Sequence, residues 1–284
     1  MAVILPAQTR AQILDFLALK WFDALAAIFA VERDGPPARK KAIGVGTGFF
    51  MECNGGVAFI TADHLVKPYL VDGTGGLALM VKGQTVSLDK KVFARSPDTD
   101  LCACRFELSE LAGFGVDRIR PVPLMTDRTQ HKSLERFAAM GFPCTWNVLE
   151  KHRKEGPSAL VLFGDGGPVR PTRKAGSFPR EVGLEFDPRH CTSGIAHVRH
   201  KGVPDFNGMS GGPLFEVFVN ERQFESEVPK YGVELRGVVV RRDPRGRRVI
   251  GTAREHLFEL LLQIAAWSSP TSGDVGRRST AGKA

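Results

Sequence analysis

From Leu25 to Ala253 the chain is written in short apolar runs cut apart by turn residues, and this punctuation constrains the fold more than any other feature. The first set reads LAAIFAV (25–31), AIGVGTGFFMEC (42–53), VAFITA (57–62), LALMV (77–81), TVSLD (85–89) and LCACRFE (101–107), divided by DGPP, NGG, DGTGG and KGQ. After RIRPVPLMTDRT a second set follows: RFAAMGF (136–142), SALVLFG (158–164), EVGLEFD (181–187), GIAHVRH (194–200), PLFEVFV (213–219), VELRGVVVR (233–241) and RRVIGTA (247–253). Such runs, bounded by Gly, Pro, Asn and Asp, are too short for core helices and fit strands. Two successive sets predict two antiparallel β-barrels or sandwiches, joined by a linker near 113–130. Neither a repeat of fixed period nor a GxGxxG or phosphate-binding loop occurs.

Helical periodicity is confined to the ends. Ile13, Leu17, Trp21 and Leu25 recur every four residues behind a Thr9–Gln12 capping box, which predicts an N-terminal helix. Asp15, Lys20 and Asp23 break its apolar stretch, so neither a membrane span nor a signal peptide is expected, although Ala24-Leu25-Ala26 has the small-residue spacing of a cleavage site. AREHLFELLLQIAAW (253–267) predicts a closing helix with Leu257, Leu260, Leu261 and Ile264 on one face, and the polar run after Pro270 reads as a disordered tail. With 43% apolar and 25% charged residues the composition is that of a globular protein. The net charge of +8 includes about +2 from the tail, and basic clusters at 39–41, 151–154 and 241–248 read as solvated turns. Nucleic acid is left open as a partner but not predicted. Five cysteines (53, 102, 104, 144 and 191) show no paired framework and no CxxC, which fits free thiols, a reducing, cytoplasmic setting and no zinc site.

The chemistry concentrates on FNGMSGGPLF (206–215), where Ser210 is enclosed by Gly208, Gly211 and Gly212. Glycines so placed allow a sharp turn or a close backbone approach. A serine nucleophile needs a base, an acid to orient the base, and backbone N–H donors for the developing oxyanion. The N–H groups of Gly208 and Ser210 can supply that oxyanion hole. Of seven histidines, His131 and His152 lie in charged, loop-like contexts and His256 on the closing helix. His190, His197 and His200 cluster, but residues three apart on a strand face opposite sides, so no metal is expected. His64 ends the buried run FITA and precedes a loop, the place where a rigid scaffold presents a functional side chain. GDGGP (164–168) has glycine where a nucleophile would stand and reads as a turn.

Three of these segments together resemble the trypsin/chymotrypsin superfamily of serine peptidases in the bacterial HtrA-like style. FITADHLV resembles its T-A-x-H histidine motif, DTDLCACRFE its aspartate strand, and GMSGGPLF its nucleophile motif; GTGFF, MGFP (140–143) and ELRGVVV (234–240) resemble further strands. The order His, Asp, Ser agrees with that family, over roughly residues 24–266. The resemblance implies an all-β fold of two antiparallel six-stranded barrels with a helix at each end. Its segments would be an N-terminal extension (1–23), a barrel carrying His64 and Asp100 (24–115), a barrel carrying Ser210 (116–252), a helix (253–267) and a tail (268–284). It implies Ser210 as nucleophile, His64 as general base and acid, Asp100 as its orienting acid, and Gly208 with Ser210 as oxyanion hole. Asp98 is the competing acid; Asp100 is preferred because the apolar strand begins directly after it, as in the motif.

Departures from the motifs are informative. Asp63 stands where the family has a small residue, Leu65 where a cysteine commonly follows the histidine, and Met209 where Asp or Asn is usual; no I-V-G-G activation site occurs. In the family's Arg- and Lys-cutting members an acid lies six residues before the serine. Here Pro204 holds that place, with Asp205 beside it, and Gly237, Val238, Val239 and Thr252 are the expected pocket walls. The expected substrate is a protein or peptide cut after a small or medium aliphatic residue, with no cofactor, no metal and no membrane partner. Two other readings stay open: a catalytically silent protease-fold module that binds peptide, and an α/β-hydrolase using the G-x-S-x-G of GMSGG, in which acid and histidine would follow the serine.

Overall fold

In β2 (Ala42–Cys53) the run TGFFM is buried without a break, and its neighbour β3 (Gly56–Ala62) is buried from Val57 onward. Both are covered on two faces, which explains why these strands read as continuous apolar runs rather than as strict alternations. The computed structural model describes residues 7–31, 42–53, 56–70, 72–73, 75–113, 122, 131–144, 159–169, 181–186, 192–193, 206–220, 231–243 and 248–266. The fold is mostly β, with two antiparallel sheets in succession.

The first sheet comprises β1 (Leu25–Val31), β2, β3, β4 (Gly76–Val81), β5 (Gln84–Ser87), β6 (Phe93–Ser96) and β7 (Leu101–Phe106), in the order β5-β4-β1-β2-β3-β7-β6. The second comprises β8 (His131–Gly141), β9 (Leu160–Pro168), β10 (Glu181–Phe186), β11 (Thr192–Ser193), β12 (Pro213–Asn220), β13 (Tyr231–Asp243) and β14 (Arg248–Ala253). Its order is β10-β14-β13-β12-β8-β9-β11, and β10 also pairs with β9, so six strands close into a barrel with β11 appended.

Closure of both sheets was expected, and the first differs. It has seven strands, and its outer strands β5 and β6 do not pair with each other among the described residues. Each is four residues long. The closing helix α4 (Glu255–Ala266) packs on β6 and β7, so a helix rather than a strand covers that edge. Leu257, Leu260, Leu261 and Ile264 form its buried face, as the periodicity predicts.

Smaller differences have local causes. The N-terminal helix α1 (Ala7–Trp21) starts two residues before Thr9, which therefore lies in the first turn rather than at its cap. Leu25, assigned to the helical stripe by spacing, already belongs to β1. The segment after the His64 motif is a short helix, α2 (Asp63–Leu70), instead of a loop; Pro68 inside it is what discourages that reading. A second short helix, α3 (Leu108–Gly113), follows β7. GDGGP is the end of β9, not a turn: a Cβ on Gly164 would sit 1.8 Å from the Glu185 carbonyl oxygen, and one on Gly166 would run into the Phe137 ring. His131 begins β8 rather than a loop. GIAHVRH, with His197 and His200, lies outside the described residues, as do His152, His190, Cys191 and the tail.

One apolar cluster runs through both sheets, joining Phe49, Phe50 and Phe59 to Phe215, Val217 and Val238. Trp21 stacks on Phe215 at 5.9 Å, and Phe22 meets Phe142 edge-on, so α1 and the turn after it are part of that junction. Val122, inside the expected linker, is buried and exchanges backbone hydrogen bonds with Phe50 and Glu52 of β2.

Candidate active site

His64 and Asp100 stand at facing ends of the neighbouring strands β3 and β7 of the first sheet. β3 ends at Ala62, and α2 begins at once, so His64 emerges in its first turn. β7 begins at Leu101, which pairs with Ala62, so the residue before β7 lies beside the residue after β3. Register thus brings Asp100 beside Asp63, and the first turn of α2 carries His64 onto the Asp100 carboxylate. Asp100 adopts a left-handed conformation, φ 54°, at the end of a 3-10 turn (Pro97–Thr99). Aspartate tolerates that region better than most residues.

Both carboxylate oxygens of Asp100 hold His64. Oδ2 lies 2.7 Å from the ring Nδ1, and Oδ1 accepts the His64 backbone N–H at 2.9 Å. An acceptor at Nδ1 places the proton there and leaves Nε2 with a free lone pair, the tautomer a general base needs. Asp98, the competing acid, is exposed one turn away, and Asp100 is the one that reaches the imidazole.

The serine turn is locked against the middle of β2 and the end of β3. The Ser210 carbonyl accepts from the Thr47 N–H at 2.9 Å, and the Thr61 hydroxyl donates to the Thr47 carbonyl at 2.7 Å. Gly211, at φ +84°, could not carry a side chain: a Cβ would lie 1.9 Å from the Thr47 oxygen and 2.2 Å from the Thr61 hydroxyl. Here the glycine reflects close approach between the two sheets. Gly212 is equally enclosed, with the Met140 carbonyl oxygen 2.0 Å from its would-be Cβ.

Gly208 has φ +98°, and its carbonyl accepts from the Thr47 hydroxyl at 2.5 Å. The Asn207 carbonyl accepts from the Cys144 N–H at 2.6 Å. In a trans peptide C=O and N–H point in opposite directions, so anchoring the Asn207 oxygen on Cys144 aims the Gly208 N–H the other way. Met209 N–H is bonded to the Phe206 carbonyl and Gly211 N–H to that of Val239. Among the described residues no acceptor takes the Gly208 or Ser210 N–H. Those are the two donors an oxyanion hole requires.

The Ser210 hydroxyl is directed to the Val240 carbonyl oxygen at 3.3 Å. Val240 sits at the register shift of β13 against β14, between Val239 and Arg241. Beyond it, Arg241 pairs with Glu181, and the Arg242 guanidinium lies 4.8 Å above the Phe206 ring.

Of the expected pocket residues, Val238 and Val239 are buried, the latter in a cluster with Phe206, Met209 and Leu214. Gly237 packs against the Thr252 backbone. Thr252 is buried, and its hydroxyl donates to the Thr99 carbonyl at 2.6 Å, tying the second sheet to the turn that carries Asp100. Pro204 and Asp205 lie outside the described residues.

Sequence reasoning missed Thr47 and Thr61. Thr47 was visible only as the single polar residue of GVGTGFF, and its partner Gly208 is 161 positions away. No group of three metal-ligating side chains occurs among the described residues, and no helix there is long and apolar enough to cross a membrane.

No family model and no curated protein matches the chain. Among solved structures, that of Deg5 superposes with a TM-score of 0.52 at 16% identity, covering 94% of this chain and 99% of that one. The inactive form of Rv3671c from M. tuberculosis H37Rv is similar at a TM-score of 0.47 and 12% identity, over 95% and 98% of the two chains. The likeness to Deg5 is one of fold. This chain has a trypsin-like protease fold.

Proposed function

We propose that the protein is a serine endopeptidase. The observation that carries this reading is the His64 imidazole held at Nδ1 by Asp100 while, among the described residues, no acceptor takes the Gly208 and Ser210 N–H groups. In the proposed cycle, His64 Nε2 takes the Ser210 proton as Oγ attacks the scissile carbonyl. The oxyanion is received by the two N–H groups. His64 then gives the proton to the leaving amine, and water repeats the sequence on the acyl-enzyme, with Asp100 stabilising the imidazolium. Attack requires the hydroxyl to leave the Val240 carbonyl and give its proton to His64.

The apolar or small side chains of Val238, Val239 and Thr252 on β13 and β14 support cleavage after Ala, Val or Leu. Burying such a side chain favours binding by roughly 1.5–3 kcal/mol. Gly237 completes the proposed walls, with Pro204 and Asp205 at the base.

The hydroxyl's bond to the Val240 carbonyl favours a second reading, a silent peptide-binding module. A fluorophosphonate probe separates the two. Folded wild-type protein should be labelled, and Ser210→Ala and His64→Ala should not. No labelling of folded wild type refutes the peptidase. Profiling on a proteome-derived peptide library, with Ser210→Ala as control, then reads the cleavage site; a profile dominated by Arg or Lys would overturn the aliphatic preference and implicate Asp205.

A further inference from the structure

Asp63 breaks the small-residue pattern before the histidine, and the structure gives it a partner. Its side chain is only 5% exposed. Arg95 Nε donates to Oδ1 at 2.6 Å and Nη2 to Oδ2 at 2.9 Å, a two-pronged pair. The Asp63 N–H donates to the Asp100 carbonyl at 3.1 Å. Arg95 lies on β6, opposite Cys102 of β7 and just before the turn that delivers Asp100. The pair therefore links the residue before the base to the strand before the acid.

The charges around the imidazole give this link a second consequence. Asp100 touches the ring, and Asp63 is the adjacent residue. Arg95 is the cation that cancels Asp63, and that contact holds its guanidinium above the ordinary range. From β7, the Cys102 thiol is kept neutral by burial, which pushes it well up. Lys67 on α2, Asp72 after it, Asp98 in the turn and Arg241 and Arg242 on β13 are exposed to water, which screens them.

We propose that the pair of buried Asp63 and half-buried Arg95 is a positioning device of the active site, one that fixes the His64 and Asp100 backbones to each other and leaves Asp100 as the one uncompensated carboxylate on the imidazole. The proposal rests on the peptidase reading for its kinetic consequence, but its electrostatic part can be measured without activity.

The test uses Asp63→Asn, Arg95→Met, the double variant and Arg95→Lys, each checked for folding by thermal melting. One readout is the pH dependence of fluorophosphonate labelling. The other is the NMR titration of the His64 ring in Ser210→Ala protein. Arg95→Met bares the Asp63 charge, which favours the imidazolium, so the titration midpoint and the acid limb of labelling should move up by about one pH unit. Asp63→Asn bares Arg95 and should move both down by a similar amount. The double variant should return the midpoint near wild type yet label more slowly, because the strut is gone. Arg95→Lys keeps the charge but not the fork, and should slow labelling at least about threefold with little change in midpoint. A purely structural pair would not shift the two single variants in opposite directions. Equal or absent shifts overturn the proposal, and so does an Arg95→Lys protein that labels like wild type. That last arm decides alone if a single variant does not fold. Opposed NMR shifts in a protein that the probe never labels would uphold the pair's effect on His64 and refute the peptidase instead.

Discussion

Replacing Thr47 by valine should damage both the stability and the reactivity of this protein, although the two side chains have nearly the same shape. The Thr47 hydroxyl is fully buried, donates to the Gly208 carbonyl at 2.5 Å and accepts from the Phe142 N–H at 2.7 Å. Valine fills the space and satisfies neither group. A buried polar group left without a partner costs about 1–3 kcal/mol, so two such groups make Thr47→Val roughly 2–6 kcal/mol less stable. At about 2–4 °C per kcal/mol, the melting temperature should fall by roughly 4–24 °C. The Gly208 carbonyl also fixes the peptide next to the proposed oxyanion hole. With its anchor gone, fluorophosphonate labelling of the still-folded fraction should slow about tenfold or more, toward the cost of a lost oxyanion donor. Thr47→Ser keeps the hydroxyl and should recover most of the labelling rate. Differential scanning fluorimetry and timed labelling measure both effects. A Thr47→Val protein melting within about 2 °C of wild type and labelling at the same rate would refute the argument.

Gly211→Ala should destabilise by about 3 kcal/mol or more, because its methyl meets the fixed Thr47 backbone rather than a flexible side chain, in a conformation that L residues avoid; chemical denaturation measures it, and a neutral result would contradict the close approach. Thr252→Val should cost about 1–2 kcal/mol and slow labelling, since it frees the turn before Asp100 from the second sheet. Burial raises the Cys102 and Cys104 thiols above their ordinary 9.0, so the folded state keeps protons that the unfolded chain releases. Stability is therefore unaffected below about pH 9 and should fall above it, by about 1.4 kcal/mol per pH unit for each thiol. Denaturation curves at pH 8, 9 and 10 should show the fall, and the Cys102→Ala/Cys104→Ala variant should flatten it. Cys53 is half-buried whereas Cys102 and Cys104 are buried, so native alkylation at pH 8 should reach Cys53 while sparing Cys102 and Cys104.

The strands were legible where burial is continuous. AIGVGTGFFMEC became β2 and PLFEVFV all but the last residue of β12, because an unbroken apolar run bounded by turn residues has few other ways to hide its surface. FARS was not legible as β6: only Phe93 and Ala94 are apolar, and it owes its strand to pairing with β7. Of the site, the positions of Ser210, His64 and Asp100 at turns beside strands could be read, because a sharp turn demands glycine and a strand end is a local pattern.

The sequence by itself thus determined where most of the strands and the two terminal helices run, which residue types stand at their ends, and the order in which the His64, Asp100 and Ser210 motifs occur. Only the tertiary structure decided which sheet closes, that a helix covers the edge of the other, and that Asp100 rather than Asp98 reaches the ring. It alone also decided that Thr47, Thr252 and Arg95 hold the serine turn, the acid's turn and Asp63. The physical reason is range. Hydrophobic period and turn chemistry act over a few residues and leave a mark in the letters, whereas a hydrogen bond between groups 161 or 153 positions apart exists only once the sheets have packed, and a lone threonine or arginine carries no trace of the partner it will meet.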